Sequence, residues 1–286
     1  MIRRHRFKYT GDFGMVVRAR SVGALRDGLL LVSPSVPVDL AGYVPEFRDN
    51  LLPGVDPVDF EADLRQGRGN ELEGKFLAAH SSSALAVNCF APFRQRTEQL
   101  RLGALSGFNS LRFEAKCPTG LGGTPPHLDV LVDGAERVVG IESKCTEPLS
   151  SHTAEFSPAY RNRLDFALRE GGWFAEMLRL HETPAAYRWL DAAQLIKHAF
   201  GLARTYSGRP SELLYLFWEP ANAGKFSVFQ EHRREIAEFA DRVQGSSPTF
   251  SAMSYNELWS EWADAELPAW LAEHLARLRA RYAVAI

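Results

Sequence analysis

Between Leu128 and Lys144 the chain carries two short runs of alternating apolar and polar residues separated by a Gly-containing break, a pattern that restricts the segment to neighbouring strands. In the first run Leu128, Val130 and Val132 alternate with Asp129, Leu131 and Asp133. In the second, residues two apart point the same way, so Val139, Ile141 and Ser143 take one face and Glu142 and Lys144 share the other. A carboxylate and an ammonium therefore stand side by side, and Asp129 joins them if the strands pair in the right register.

Loop length decides that register. A four-residue loop, Gly134 to Arg137, pairs Asp133 with Val138, and stepping outward in antiparallel fashion places Asp129 across from Glu142. A tight Asp133-Gly134 turn would instead set Asp129 against Val138, four residues or roughly 13 Å from Glu142. The longer loop is the expectation. Two carboxylates at that separation supply hard oxygen ligands for Mg²⁺, with Mn²⁺ as a substitute, and leave the rest of the shell to water and phosphate. Lys144 would orient a water or offset negative charge in the transition state.

Glu-x-Lys occurs three times, which weighs against reading any one of them as chemistry. Glu73-Gly74-Lys75 lies in a helical context, and Glu114-Ala115-Lys116 lies in a strand-like run with no aspartate from Leu64 to Phe113 to partner it. Only Glu142 has an acid on a neighbouring strand. The competing reading of Glu142 and Lys144 is a surface pair on a solvated sheet edge.

The surrounding pattern supplies a sheet covered by helices. Residues 1–14 are basic and without periodicity, which predicts a dispensable disordered tail, or upstream sequence if Met15 is the start; residues 15–286 then form one domain with its core over about 71–253. Val16 to Asn70, rich in Pro, Gly and Asp, reads as an irregular N-terminal layer without chemistry. Glu71 opens a unit in which Leu72, Phe76 and Leu77 recur at helical spacing, and Ser81 to Ser83 offer caps for a helix over Ala84 to Phe90. Strands are expected at Ser110 to Lys116, Leu128 to Asp133, Arg137 to Lys144, Leu213 to Trp218 and Pro248 to Met253. Helices are expected at Pro158 to Leu180, Tyr187 to Arg204, Phe229 to Val243 and, Trp-rich, Tyr255 to Tyr282. The fold class is therefore α/β, a mixed central sheet flanked by helices with a helical C-terminal extension.

Leu128-Asp129, a twelve-residue gap and Gly140-Ile141-Glu142-Ser143-Lys144 together resemble the PD-(D/E)XK nuclease superfamily, also called restriction-endonuclease-like. Here Leu128 stands where the family has Pro, with Pro125 and Pro126 just upstream. The resemblance covers roughly Glu71 to Met253 and implies a helix, a three-stranded meander, a crossover helix and a further strand. It implies Asp129 and Glu142 as metal ligands and Lys144 as the catalytic lysine. It further implies Glu71, preferred to its rival Glu73, as a third metal-binding acid, contributed by the first helix. Members often place a Gln on the crossover helix, a role that Gln194 would take, with Lys197 three residues on in the same stripe; a solvated stripe is the alternative. The activity implied is metal-dependent hydrolysis of nucleic-acid phosphodiesters, DNA being the expected partner. A catalytically inactive nucleic-acid or protein binding module of the same fold is the alternative, and self-association into a homodimer is left open.

Composition excludes other classes. A net charge of −2 confines any nucleic-acid contact to local basic patches, for which Arg94, Arg96 and Arg101 or Arg161, Arg163 and Arg169 are candidates beside the plainer reading of solvated faces. Three cysteines without short spacing argue against disulfides and zinc, and the histidines show no paired-ligand motif. Gly120 to Gly123 lacks a phosphate-loop ending. No apolar run approaches the roughly 20 residues of a membrane span, so a cytoplasmic protein without membrane contact is expected. Glu147, three residues beyond Lys144, is either a group that supports the site from behind or, the preferred reading, an exposed loop acid, and Trp259, Trp262 and Trp270 read as packing residues.

Overall fold

A computed structural model of the chain describes residues 12–66, 71–264, 266 and 268–286. Its centre is a five-stranded sheet in the order β1-β2-β3-β4-β5. The strands are β1 (Phe108–Lys116), β2 (His127–Gly134), β3 (Val138–Lys144), β4 (Ser211–Phe217) and β5 (Thr249–Ser254). β1, β2 and β3 form an antiparallel meander, whereas β3-β4 and β4-β5 are parallel. Parallel neighbours need crossovers, and helices supply them. α5 (Gly172–Glu182) and α6 (Ala192–Thr205) lie between β3 and β4, and α7 (Ser227–Val243) lies between β4 and β5. The structure is thus an α/β restriction-endonuclease-like fold with a mixed sheet flanked by helices.

Each face of the sheet has its own core. On one, Val130, Val132, Val139 and Ile141 pack with α3 (Ser82–Phe90), α8 (Tyr255–Ala263) and α9 (Ala269–Tyr282). On the other, Leu131, Val138, Leu213 and Tyr215 pack with α5, α6 and the second half of α7. Ser81 caps α3 by accepting the Ala84 N–H, as its side-chain chemistry predicts. Trp259 and Trp262 are core residues, and Trp270 packs against Phe93. Among the described residues no helix is long and apolar enough to cross a membrane.

The expected helix boundaries fail where glycine or a cap intervenes. The helix expected over Pro158 to Leu180 is instead α4 (Pro158–Asn162), a 3-10 turn and α5, with Gly171, at φ +87°, as the cap from which α5 starts. α6 begins at Ala192 and not at Tyr187, since Asp191 accepts the Gln194 N–H and fixes the helix start. The Trp-rich end splits into α8 and α9, with Pro268 at the α9 N-cap.

The N-terminal layer differs more. Asp12–Val32 is one 21-residue helix, α1, followed by 3-10 turns at Phe47–Asn50 and Pro57–Asp59 and by α2 (Glu61–Gln66). Its buried residues are Gly14, Val17, Ser21, Leu25, Gly28 and Leu29, so three of the six inward positions carry no apolar side chain and the period is hidden from hydropathy. Small residues are required there: a Cβ on Gly28 would lie 2.1 Å from the Arg281 carbonyl oxygen of α9. Of the expected tail, residues 1–11 lie outside the described residues, and residues 12–14 belong to α1, with Gly14 buried.

One contact seats α6 on the sheet. A Cβ at Gly201 would lie 2.2 Å from the carbonyl oxygen of Cys117, just past the end of β1. Gly201→Ala should therefore push the helix off the sheet and cost about 1–3 kcal/mol of overpacking. Chemical denaturation checks this, and an unchanged midpoint would show that the helix has room to shift.

Candidate active site

The β2-β3 ladder has the register of the four-residue loop. Asp133 pairs with Val138, the Gly134 N–H donates to the Arg137 carbonyl at 2.9 Å, and the pairing runs on to Val130 opposite Ile141. One further step would bring Asp129 opposite Glu142. The ladder stops there, and the Ser143 N–H donates to the Asp129 carboxylate, at 2.7 Å from Oδ2.

The cause lies one strand away. Glu114, in β1 between the pairs Phe113-Val130 and Ala115-Leu128, has φ +47°, a left-handed conformation uncommon for a residue with a side chain. The kink reverses the alternation. Phe113 and Val130 face the α3 core, whereas Ala115 and Leu128 face the α6 core. Leu128 thus departs from the face expected for it alongside Val130 and Val132, and it fills the space in front of Gly140, where a Cβ would meet it at 2.6 Å. Asp129 stands at the crossing, with the Glu114 carboxylate brought close enough to act on it electrostatically. His127 Nδ1 lies 3.2 Å from Glu114 Oε2. The Glu-x-Lys at Glu114, discounted for want of an acidic partner, therefore contributes its glutamate to the site around Asp129.

α6 supplies the roof. Lys144 Nζ donates to Glu142 Oε1 at 2.5 Å and to Gln194 Oε1 at 2.8 Å, so the lysine is clamped between its own strand and the first turn of α6. One turn along, His198 Nδ1 comes within 3.2 Å of Glu142 Oε2. The approach lacks hydrogen-bond geometry, and both atoms are buried without a hydrogen-bond partner. His198 is a residue that motif spacing missed; its place four residues after Gln194 on one helix face was the available signal. Lys197 also lines the cavity, its ammonium 5.4 Å from the Phe156 ring centre.

The facing wall comes from α3 and the N-terminal layer. Together the walls enclose a cavity of about 840 Å³ into which Asp129, Glu142, Lys144, Gln194 and Glu71 all open. Glu71 lies in a turn ahead of the 3-10 segment Lys75–Leu77, not in a helix, and its electrostatic neighbours are Lys75 and Glu147. Glu73 is exposed and does not line the cavity. Glu147, expected as an exposed acid, is partly buried and holds Ser82 Oγ at 2.6 Å and the Cys145 N–H at 2.8 Å. Three of the six candidate arginines are engaged elsewhere. Arg94 binds Asp63, Arg96 stacks on Trp270, and Arg169 donates to the carbonyls of Leu164 and Asn162. The cavity's cations besides Lys144 are Arg18, Lys75 and Lys197, which make no ion pair among the described residues.

Electrostatics at the site point one way. Burial pushes the Asp129 carboxyl well above the usual carboxylate range; repulsion from Glu142 adds to the push and Lys144 opposes it. Burial works against the Lys144 charge, but Glu142, Asp129 and Glu147 outweigh it and raise its pKa. Burial holds His198 below the usual histidine range, with Glu142 countering. The imidazole is therefore neutral at pH 7. Two carboxylates share one ammonium, and a glutamate oxygen, on a residue 1% exposed, has no hydrogen-bond donor. A buried charge so under-compensated fits a cation in contact with it. Among the described residues no three His, Cys, Asp or Glu side chains are gathered closely enough to hold an ion by themselves. A hard divalent ion that keeps several waters suits such a site better than zinc does.

A family model described as Restriction Endonuclease associating with ARP (REase-ARP) matches residues 38–283. No curated protein and no solved structure matches the chain.

Proposed function

The chain belongs to the REase-ARP family of restriction endonucleases, and on that premise we propose that it is a metal-dependent nuclease hydrolysing phosphodiester bonds of DNA at the cavity above β2 and β3. The observation that carries this reading is the buried Glu142 carboxylate: one oxygen is fixed by Lys144, the other has no donor, and Asp129 stands beside it.

Asp129 and Glu142 would hold a Mg²⁺ ion, for which Mn²⁺ would substitute. Bound there, the ion supplies positive charge to the phosphoryl group and acidity to a water. The protein's own part is positional. Glu142 and Gln194 each accept one N–H of Lys144, which fixes the ammonium and leaves one donor for the phosphate or the attacking water. Oxygen of water bonds to phosphorus as one of its O–H bonds breaks, the bond from phosphorus to the leaving sugar oxygen breaks, and that oxygen takes up one proton in balance for the one the water gives up. As the phosphoryl oxygens gain charge, the fixed ammonium stabilises them without reorganising. Arg18, Lys75 and Lys197, from α1, the 3-10 segment Lys75–Leu77 and α6, would take phosphates flanking the scissile one.

Digestion of supercoiled plasmid tests the proposal. Cleavage is expected with Mg²⁺ or Mn²⁺, is expected to stop with EDTA, and should fall by at least about 10²-fold in Asp129→Ala, a loss of the size seen when one electrostatic stabiliser is removed. Cutting that persists in EDTA, or in Asp129→Ala at the unaltered rate, would place the chemistry elsewhere. Binding of DNA without cutting would favour a non-catalytic module.

A further inference from the structure

α6 addresses the two halves of the Glu142-Lys144 unit with two side chains one turn apart. Gln194 holds Lys144 directly. His198, 3% exposed, faces the other end of the unit, its Nδ1 3.2 Å from Glu142 Oε2. Among the described residues no group donates a hydrogen bond to that oxygen, and Nδ1 itself has no hydrogen-bond partner. An imidazole buried against a carboxylate at this distance needs only a small rotation to donate to it. Donation to Oε2, with Lys144 fixed on Oε1, would leave the carboxylate one orientation about its last torsion.

We propose that His198 is a positioning residue for Glu142, holding the carboxylate in the orientation in which it receives a divalent cation. The inference rests on the metal-site reading above. It follows a general feature of carboxylate ligands, which are themselves hydrogen-bonded by an outer group that fixes their rotamer and tunes their basicity. The helix is suited to the task because both its ends are fixed. Asp191 caps its start, and Gly201 rests on the Cys117 carbonyl. His198 therefore cannot drift relative to the strand it faces.

The test compares His198→Leu, which fills the space without a donor, with His198→Gln, which keeps an N–H of similar reach. Mn²⁺ affinity is measured by calorimetry on the full chain without nucleic acid, and thermal stability is measured in parallel. His198→Leu is expected to bind Mn²⁺ about 10- to 100-fold more weakly. His198→Gln should recover most of that loss at a Tm close to that of the Leu variant. Wild-type affinity in His198→Leu would overturn the positioning role, and so would a loss in His198→Gln as large as in the Leu variant, because packing alone would then account for it. If the unaltered protein takes up no Mn²⁺, the metal-site reading falls and this role falls with it. Tight binding that is lost in Glu142→Ala but kept in His198→Leu would sink only the role of His198.

Discussion

Lys144→Ala should reduce cleavage by about 10²–10³-fold while leaving Mn²⁺ bound as tightly as in the unaltered protein or more tightly. Glu142→Ala should lose both. The contrast is one of charge: the ammonium is no ligand for a cation, and its removal takes a positive charge from beside the site, whereas removal of Glu142 takes away an oxygen ligand. The geometry sharpens the expectation. In Lys144→Ala, Glu142 loses its fixed partner on Oε1 and becomes a buried carboxylate without compensation, for which an incoming ion is the best remaining partner. Metal should accordingly stabilise the Lys144→Ala protein against heat by more than it stabilises the unaltered one. Calorimetric Mn²⁺ titration beside a plasmid assay separates the two roles. Cleavage at the unaltered rate by Lys144→Ala, or normal Mn²⁺ uptake by Glu142→Ala, would show that the roles are assigned to the wrong residues.

The largest effect on stability is expected far from any metal, at Glu235 on α7. Its carboxylate accepts three successive backbone N–H groups, of Arg188 at 2.9 Å, Trp189 at 2.8 Å and Leu190 at 3.0 Å. These residues lead into Asp191, the cap of α6. Glu235→Ala would remove the side-chain acceptor of three backbone N–H groups in a largely buried segment, at about 1 kcal/mol or more each. A loss on the order of 3 kcal/mol should lower Tm by roughly 6–12 °C. Glu235→Gln, which keeps one acceptor oxygen, should lose less. Because Gln194 follows the same cap, cleavage by the folded Ala variant should also fall. An unchanged Tm in Glu235→Ala would show that water or another side chain replaces the carboxylate.

Much of the site was legible because it is local. The phase of Glu142 and Lys144 follows from strand alternation, and the pairing of Asp133 with Val138 follows from the length of one loop. Ser81 as the cap of α3 follows from side-chain chemistry. What escaped depends on contacts between distant segments. The stripe of α1 carries Gly at positions 14 and 28 because Leu149 and Trp189 crowd the first and Arg281 of α9 the second, and hydropathy reads such a stripe as irregular. The kink at Glu114 has no sequence signature, since a left-handed glutamate breaks the local preference of its residue type and persists only where neighbours enforce it. Without the kink, nothing tells that Glu114 reaches Asp129. His198 was hidden, and Glu147 was read as exposed in preference to supporting the site, for a related reason: each meets a partner on another element, Glu142 of β3 for the first and Ser82 of α3 for the second.

The kink has a further consequence at the border of the sheet. β1 is an edge strand, and a long flat edge would invite a strand from another molecule to add to it. β1 is not flat. Its register shifts between Phe108 and Ser110, and its faces exchange at Glu114. The backbone between those points is already engaged, the Phe113 N–H by Asp63 and the Leu111 carbonyl by Arg94. A guest strand would find no run of free groups in one plane, so the distortion that delivers a carboxylate to the cavity also guards the protein against polymerising through its own sheet.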